Sequence, residues 1–81
     1  MDRLATSRMF VAVLEAGSFA EGARRRGIGA AQASKLVAAL ERELGVRLLH
    51  RTTRALQPTE AGRAYHARLR ALLDDLSLIH I

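Results

Sequence analysis

The sequence predicts a mainly α-helical domain: a winged helix-turn-helix, with a three-helix core and a two-stranded wing, followed by a long linker or dimerisation helix. Three observations predict it. Apolar residues recur at helical spacing along most of the chain. Gly17, Gly27, Gly29 and Gly45 cut that periodicity into segments. After Gly45 the period shortens briefly, and a last long helical stretch then starts at Pro58-Thr59-Glu60. A chain of 81 residues can bury one modest core, and a hydrophobic fraction of 49% is too high for a disordered segment. This reading gives a winged helix-turn-helix over residues 1–58 and a linker helix over 59–81.

The first helix is expected from about Asp2 to Ala16. Leu4, Phe10, Val11 and Leu14 give it a core face, and Met9 and Val13 lie on other sides. A helix apolar more than halfway round packs on two neighbours, one of which could be a second copy of the chain. Gly17 suits a left-handed cap. Ser18-Phe-Ala-Glu21 then reads as a capping box: the Ser hydroxyl accepts an amide and Glu21 reaches back. The second helix starts at Phe19 and is stopped by Gly27 after about two turns. Gly22 inside it should cost roughly 1 kcal/mol of helix propensity.

Gly27-Ile28-Gly29 is a tight turn into a third helix over Ala30–Leu44. Its apolar stripe is Ala33, Val37, Leu40 and Leu44. The opposite face carries Ala31, Lys35, Ala38, Ala39 and Arg42, flanked by Gln32 and Ser34. Small side chains let a backbone approach a surface closely, and cations suit a polyanion. A helix of this kind fits a DNA major groove, whose walls are phosphates. Two helices joined by a short Gly-containing turn, the second longer and cationic, make a helix-turn-helix.

A hairpin follows, with strands near Leu48–His50 and Leu56–Gln57 and a tip presenting Arg51, Thr52, Thr53 and Arg54. Arginines on such a loop can enter a minor groove or clamp phosphates. Thr59 is the expected N-cap of the fourth helix, with Glu60 at the positive end of its dipole. Ala61, Tyr65, Leu69, Leu72, Leu76 and Ile79 then form a near-heptad seam longer than a small core needs. Tyr65, Leu69, Leu72 and Leu76 are therefore expected at a two-fold dimer interface, with Arg63 and Arg70 solvated on the far side.

The formal charge of +5 has a location. Residues 1–17 and 55–81 are each neutral, so the excess lies between Ser18 and Arg54, where eight bases face three acids. That is where an anionic partner would sit, and duplex DNA is the expected one. A membrane surface fits less well, because the cations do not border a large apolar face. There is no cysteine, no apolar stretch of spanning length and no signal-peptide pattern after Met1, so a cytoplasmic protein is expected. No cofactor and no enzymatic activity are expected either. His50, His66 and His80 lack metal-site spacing, and no phosphate loop or nucleophile–base pair is visible.

From Leu4 to Gly62 the chain resembles the N-terminal domain of LysR-type bacterial transcriptional regulators. The matching pieces are Phe10…Val13, Glu15-Ala-Gly-Ser-Phe19, Ala23-Arg-Arg25, Gly27-Ile28, Ser34-Lys35, Leu40-Glu41…Leu44-Gly45-Val-Arg-Leu48-Leu-His-Arg51 and Thr59-Glu-Ala-Gly62. Their order and spacing are unbroken over about three quarters of the chain. The resemblance implies a promoter-binding dimer joined through the fourth helix. It points to Gln32, Ser34 and Lys35 on helix three and Arg51, Thr52 and Arg54 in the wing as DNA contacts. Two departures stand out. Gly29-Ala30 replaces the Ser-Gln that usually opens helix three, leaving Gln32 as candidate substitute for a groove contact. Arg26 stands where a packed Leu is usual, so it must snorkel out or leave a gap. The alternative is a winged-helix interaction or dimerisation module that has lost DNA binding. Relatives also continue into an effector-binding domain, through which alone a small-molecule inducer would act. Leu76-Ser-Leu-Ile-His-Ile81 does not resemble a charged linker, and residues 76–81 are expected to be a non-native end of a truncated reading.

Overall fold

The computed structural model describes residues 3–51 and 56–79. Its elements follow in the order α1 (Arg3–Ala16), α2 (Phe19–Arg26), α3 (Ala30–Leu44), β1 (Leu49–Arg51), β2 (Leu56–Pro58) and α4 (Glu60–Ile79). The strands pair antiparallel, with Leu49 opposite Pro58, His50 opposite Gln57 and Arg51 opposite Leu56. The predicted helices and hairpin are all present, with the first strand shifted by one residue and the second one residue longer than expected.

α1 is the hub. Met9, Phe10, Val11 and Val13 are buried, and they meet Ala23 of α2, Ala33, Val37 and Leu40 of α3, and Leu48 and Leu49 at the wing base. This corrects the expected core face. Leu4 is 51% exposed, whereas Met9 and Val13, expected on other sides, are at 2% and 0%. The reason is that α1 is wrapped on several sides by its own chain, while Leu4 sits at its start in an open groove beside Leu69 and Leu72 of α4.

Gly22 reads differently in three dimensions than in sequence. A Cβ there would lie 2.6 Å from Val13 Cα and 2.9 Å from Val13 N. The missing side chain is what lets α2 lie against the α1 backbone, so the residue is a packing requirement. The capping box is half formed. Ser18 Oγ accepts from Glu21 N at 3.1 Å, but the Glu21 carboxylate turns away to Arg24 and Arg25. Two nearby guanidinium groups offer it stronger, charge-assisted hydrogen bonds than a backbone amide does. Arg26 is exposed, so it does snorkel outward. Gly17 and Gly27 end their helices at φ of 84° and 74°, the left-handed region where glycine alone is unstrained. Thr59 caps α4 as expected, its Oγ1 accepting from Gly62 N at 2.9 Å.

Candidate nucleic-acid interface

α3 opens without a side-chain cap. Gly29 is extended, at φ −79° and ψ 155°, and contributes only its backbone. The helix buries Ala33, Val37 and Leu40 in the core shared with α1, buries Glu41 beside them, and leaves Leu44 half-buried. Ala30, Ala31, Gln32, Lys35 and Arg42 are exposed. Ser34 is half-buried, so Gln32 is the more accessible of the two neutral hydrogen-bonding candidates. The first two turns of α3 thus present three small or absent side chains around one amide and one ammonium, a surface a groove can approach closely.

Electrostatics sharpen this. Elsewhere on the domain several arginines are spoken for: Arg3 by Glu43 at 2.7 Å, Arg24 and Arg25 by Glu21, and Arg70 by Glu15 and Asp74. The hydrogen-bonded Arg24 guanidinium holds the Glu21 carboxyl down at about 2. Lys35, Arg42 and Arg47 enter no ion pair among the described residues. Arg42 and Arg47 border an open cavity of about 390 Å³ with Ala38, Glu41, Gly45 and Val46, between the end of α3 and the approach to the wing. The positive charge of this face is available to a partner.

The wing is held from both sides. Glu41 is only 6% exposed, and its Oε2 accepts from Leu48 N at 2.8 Å and Leu49 N at 3.2 Å. In the sequence Glu41 stands out only as an acid in a basic segment and as part of the Leu40-Glu41 piece of the resemblance, not as a buried hydrogen-bond acceptor. The signal was its register: 33, 37 and 41 repeat at four, which puts a carboxylate on the buried stripe. From α4, Thr59 N donates to Leu48 O at 3.0 Å and Thr59 Oγ1 to Arg47 O at 2.6 Å. Gly62 lies so close to Leu48 O that a Cβ would collide with it. Arg51 belongs to β1 through its backbone. Its side chain, and all of Thr52 and Arg54, lie outside the described residues.

The predicted seam on α4 divides. Tyr65 is turned to its own chain: its hydroxyl is 2.9 Å from Ser7 Oγ, and its ring centroid is 6.0 Å from that of Phe10. Leu69 packs half-buried against the core, and Leu72 is 60% exposed. The side chain of Leu76 lies outside the described residues. Arg70 is not on a purely solvated face. Its Nε is 3.6 Å from Glu15 of α1, whose carboxylate is also 2.8 Å from His66 Nε2. Arg3, Leu4, Ser7, Tyr65, Arg68, Leu69 and Leu72 line a groove of about 500 Å³ between α1 and α4.

Residues 4–63 match the family model of the bacterial regulatory helix-turn-helix proteins of the lysR family. The chain belongs to the LysR family. The helix-turn-helix of that family is thus α2, the Gly27–Gly29 turn and α3. A Haemophilus influenzae HTH-type transcriptional regulator is 47% identical over 76 residues, 94% of this chain and 26% of its own length. An HTH-type transcriptional repressor of Pseudomonas aeruginosa is 46% identical, over 94% of this chain and 24% of its length. This LysR-family chain therefore spans about a quarter of the curated relatives it matches. Among solved structures, the BenM DBD in complex with benA site 1 DNA superposes with a TM-score of 0.90 at 33% identity, covering 98% of this chain and 88% of that one. Among the described residues no helix is long and apolar enough to cross a membrane, and no cluster of His, Cys, Asp or Glu could hold a metal ion.

Proposed function

We propose that this domain binds duplex promoter DNA sequence-specifically, as a dimer, within a transcriptional regulator. The observation that carries the reading is the exposed face of α3: short side chains at Ala30 and Ala31, Gln32 beside them, and Lys35 and Arg42 without an ion-pair partner among the described residues. α3 enters the major groove, with Gln32, Ser34 and Lys35 in its contacting turns. The wing, through Arg51, Thr52 and Arg54, contacts the minor groove or the phosphates beside it. The second copy docks on the outer part of α4, at the exposed Leu72 and the half-buried Leu69; Tyr65, held within its own chain, supports that surface from behind, and the side chain of Leu76 lies outside the described residues. Residues 1–58 form the DNA-binding unit and 59–81 the linker helix. The regulator acts in the cytoplasm and is not an enzyme, and an inducer acts through a further domain. The superposition on a BenM DBD bound to DNA supports this reading over an interaction module that has lost DNA binding.

The deciding experiment is a salt-titrated binding assay with mixed duplex DNA. Replacing both Arg51 and Arg54 by Ala should weaken binding to every sequence and flatten the slope of log K against log salt by about one unit per lost phosphate contact. An unchanged slope would mean that the wing does not touch DNA.

A further inference from the structure

We propose that Glu41 is a positioning residue for DNA binding: it fixes the wing relative to the recognition helix. The proposal rests on the reading of the wing as a DNA contact. A carboxylate this deeply buried is strongly disfavoured unless hydrogen-bonded. Here one oxygen of Glu41 accepts two successive backbone amides, those of Leu48 and Leu49, at 2.8 and 3.2 Å. Leu49 is the first residue of β1, and Arg51 its last. Two residues of strand advance about 7 Å, so the clamp lies within that distance along the backbone of the first wing arginine. The same segment is held by its carbonyls from the other side, through Thr59 to Arg47 O and Leu48 O. Glu41 is the member of this clamp that reaches from α3 itself, and so links groove reading to wing placement.

A charge-neutral explanation is available for the packing, because an apolar residue would complete the stripe of Ala33 and Val37. A carboxylate is an odd choice beside a surface meant for a polyanion, where each negative charge lowers affinity. The two effects of Glu41 on DNA binding therefore have opposite signs. Its charge opposes binding, and its hydrogen bonds favour it.

Two substitutions separate these signs in the full chain. Glu41→Asp keeps the charge but withdraws the acceptor by one methylene. Glu41→Gln keeps the reach and an acceptor oxygen but removes the charge. With folding checked by circular dichroism, Glu41→Asp should weaken binding to mixed duplex DNA roughly tenfold and lower the salt slope by about one to two, as loss of wing contacts requires. Glu41→Gln should keep the parent slope, bind at least as tightly, and retain exchange protection at the Leu48 and Leu49 amides. The Arg51→Ala/Arg54→Ala double variant calibrates the slope that the wing can contribute. If that double variant lowers the slope while folded Glu41→Asp keeps parental slope and affinity, the proposal fails and the wing reading stands. If the double variant leaves the slope unchanged, the wing reading fails and takes the proposal with it. If Glu41→Asp does not fold, Glu41→Gln decides alone: a slope that follows amide protection at Leu48 and Leu49 upholds the proposal, and a lowered slope with protected amides, or a parental slope with amides that have lost protection, overturns it.

Discussion

Gly22→Ala sets two physical effects against each other, and they differ in sign. Helix propensity alone favours Ala in the interior of α2 by about 1 kcal/mol. That would raise the melting temperature of an 81-residue domain by roughly 4–8 °C. The packing says the reverse. The new Cβ would stand 2.6 Å from Val13 Cα, 2.8 Å from Val13 Cγ2 and 2.9 Å from Val13 N, where ordinary contact begins at 3.4 Å. The shortfall is about 1 Å, and two of the three atoms are backbone, which no change of rotamer can move. α1 and α2 must part by about that much. A radial gap of that size forfeits a quarter to a half of each contact across it. The contacts at stake include Val13 and Ala23, at 0% and 1% exposure.

Overpacking of this kind costs about 3 kcal/mol at the upper end of its usual range. Less the roughly 1 kcal/mol of propensity, the net loss is about 2 kcal/mol, or a fall in melting temperature of roughly 8–16 °C. Thermal and urea unfolding followed by circular dichroism would measure it. Gly29→Ser is the control, since a Cβ there meets nothing within 4 Å and a serine can supply the cap that α3 lacks. It should gain a few tenths of a kcal/mol. A Gly22→Ala variant that melts above the parent would refute the close approach of α1 and α2.

Gln32→Ala should shift the preferred base at one step by roughly 1–3 kcal/mol while sparing non-specific affinity, and a binding-site selection that returns the parent motif would remove Gln32 from base readout. Leu72→Asp should yield a folded monomer by sedimentation, because Leu72 is exposed within the chain; Leu69→Asp should also lose intrachain packing, because Leu69 leans on the core. Persistence of the dimer in Leu72→Asp would place the interface elsewhere. The Glu21 carboxyl is lowered from 4.5 to about 2 by the hydrogen bond from Arg24. A carboxyl lowered on folding stabilises the native state above its unfolded value and loses that contribution as pH falls through the window from 4.5 to about 2. In Arg24→Ala, NMR titration should find the Glu21 midpoint moved up toward 4.5, and an unmoved midpoint would show that the pair does not form.

Helix boundaries were legible because the local chemistry that sets them is local in sequence. Ser18, Gly27, Gly45 and Thr59 each act on a neighbour within four residues. The basic middle of the chain was legible for the same reason, since it needs only a count of charges by position. What escaped was non-local. Nothing near Gly22 in sequence announces Val13, and nothing near Gly62 announces Leu48. Tyr65 reads as a seam residue from its spacing, and only the fold brings Ser7 and Phe10 to it. Leu4 failed for the converse reason: periodicity says which residues share a face, but not how far along a helix the neighbouring chain extends.

The division of α4 has a mechanical consequence. Its first turn is locked to the wing base by Thr59 and by the close passage of Gly62 over Leu48. Its middle is locked to α1 by Tyr65 on Ser7 and by His66 and Arg70 on Glu15. α1 in turn is tied to the end of α3 by Arg3 on Glu43, and to the body of α3 through the shared core. Beyond Leu69 the apolar positions leave the core, and Leu72 stands exposed. A half-site pair on DNA demands two recognition helices about 34–36 Å apart, or a multiple of that. If the second copy docks on the outer part of α4, that spacing passes from one α3 to the other through these links. Tyr65, read from sequence as an interface residue, then contributes to dimeric binding from inside its own chain, by keeping α4 at a fixed angle to α1.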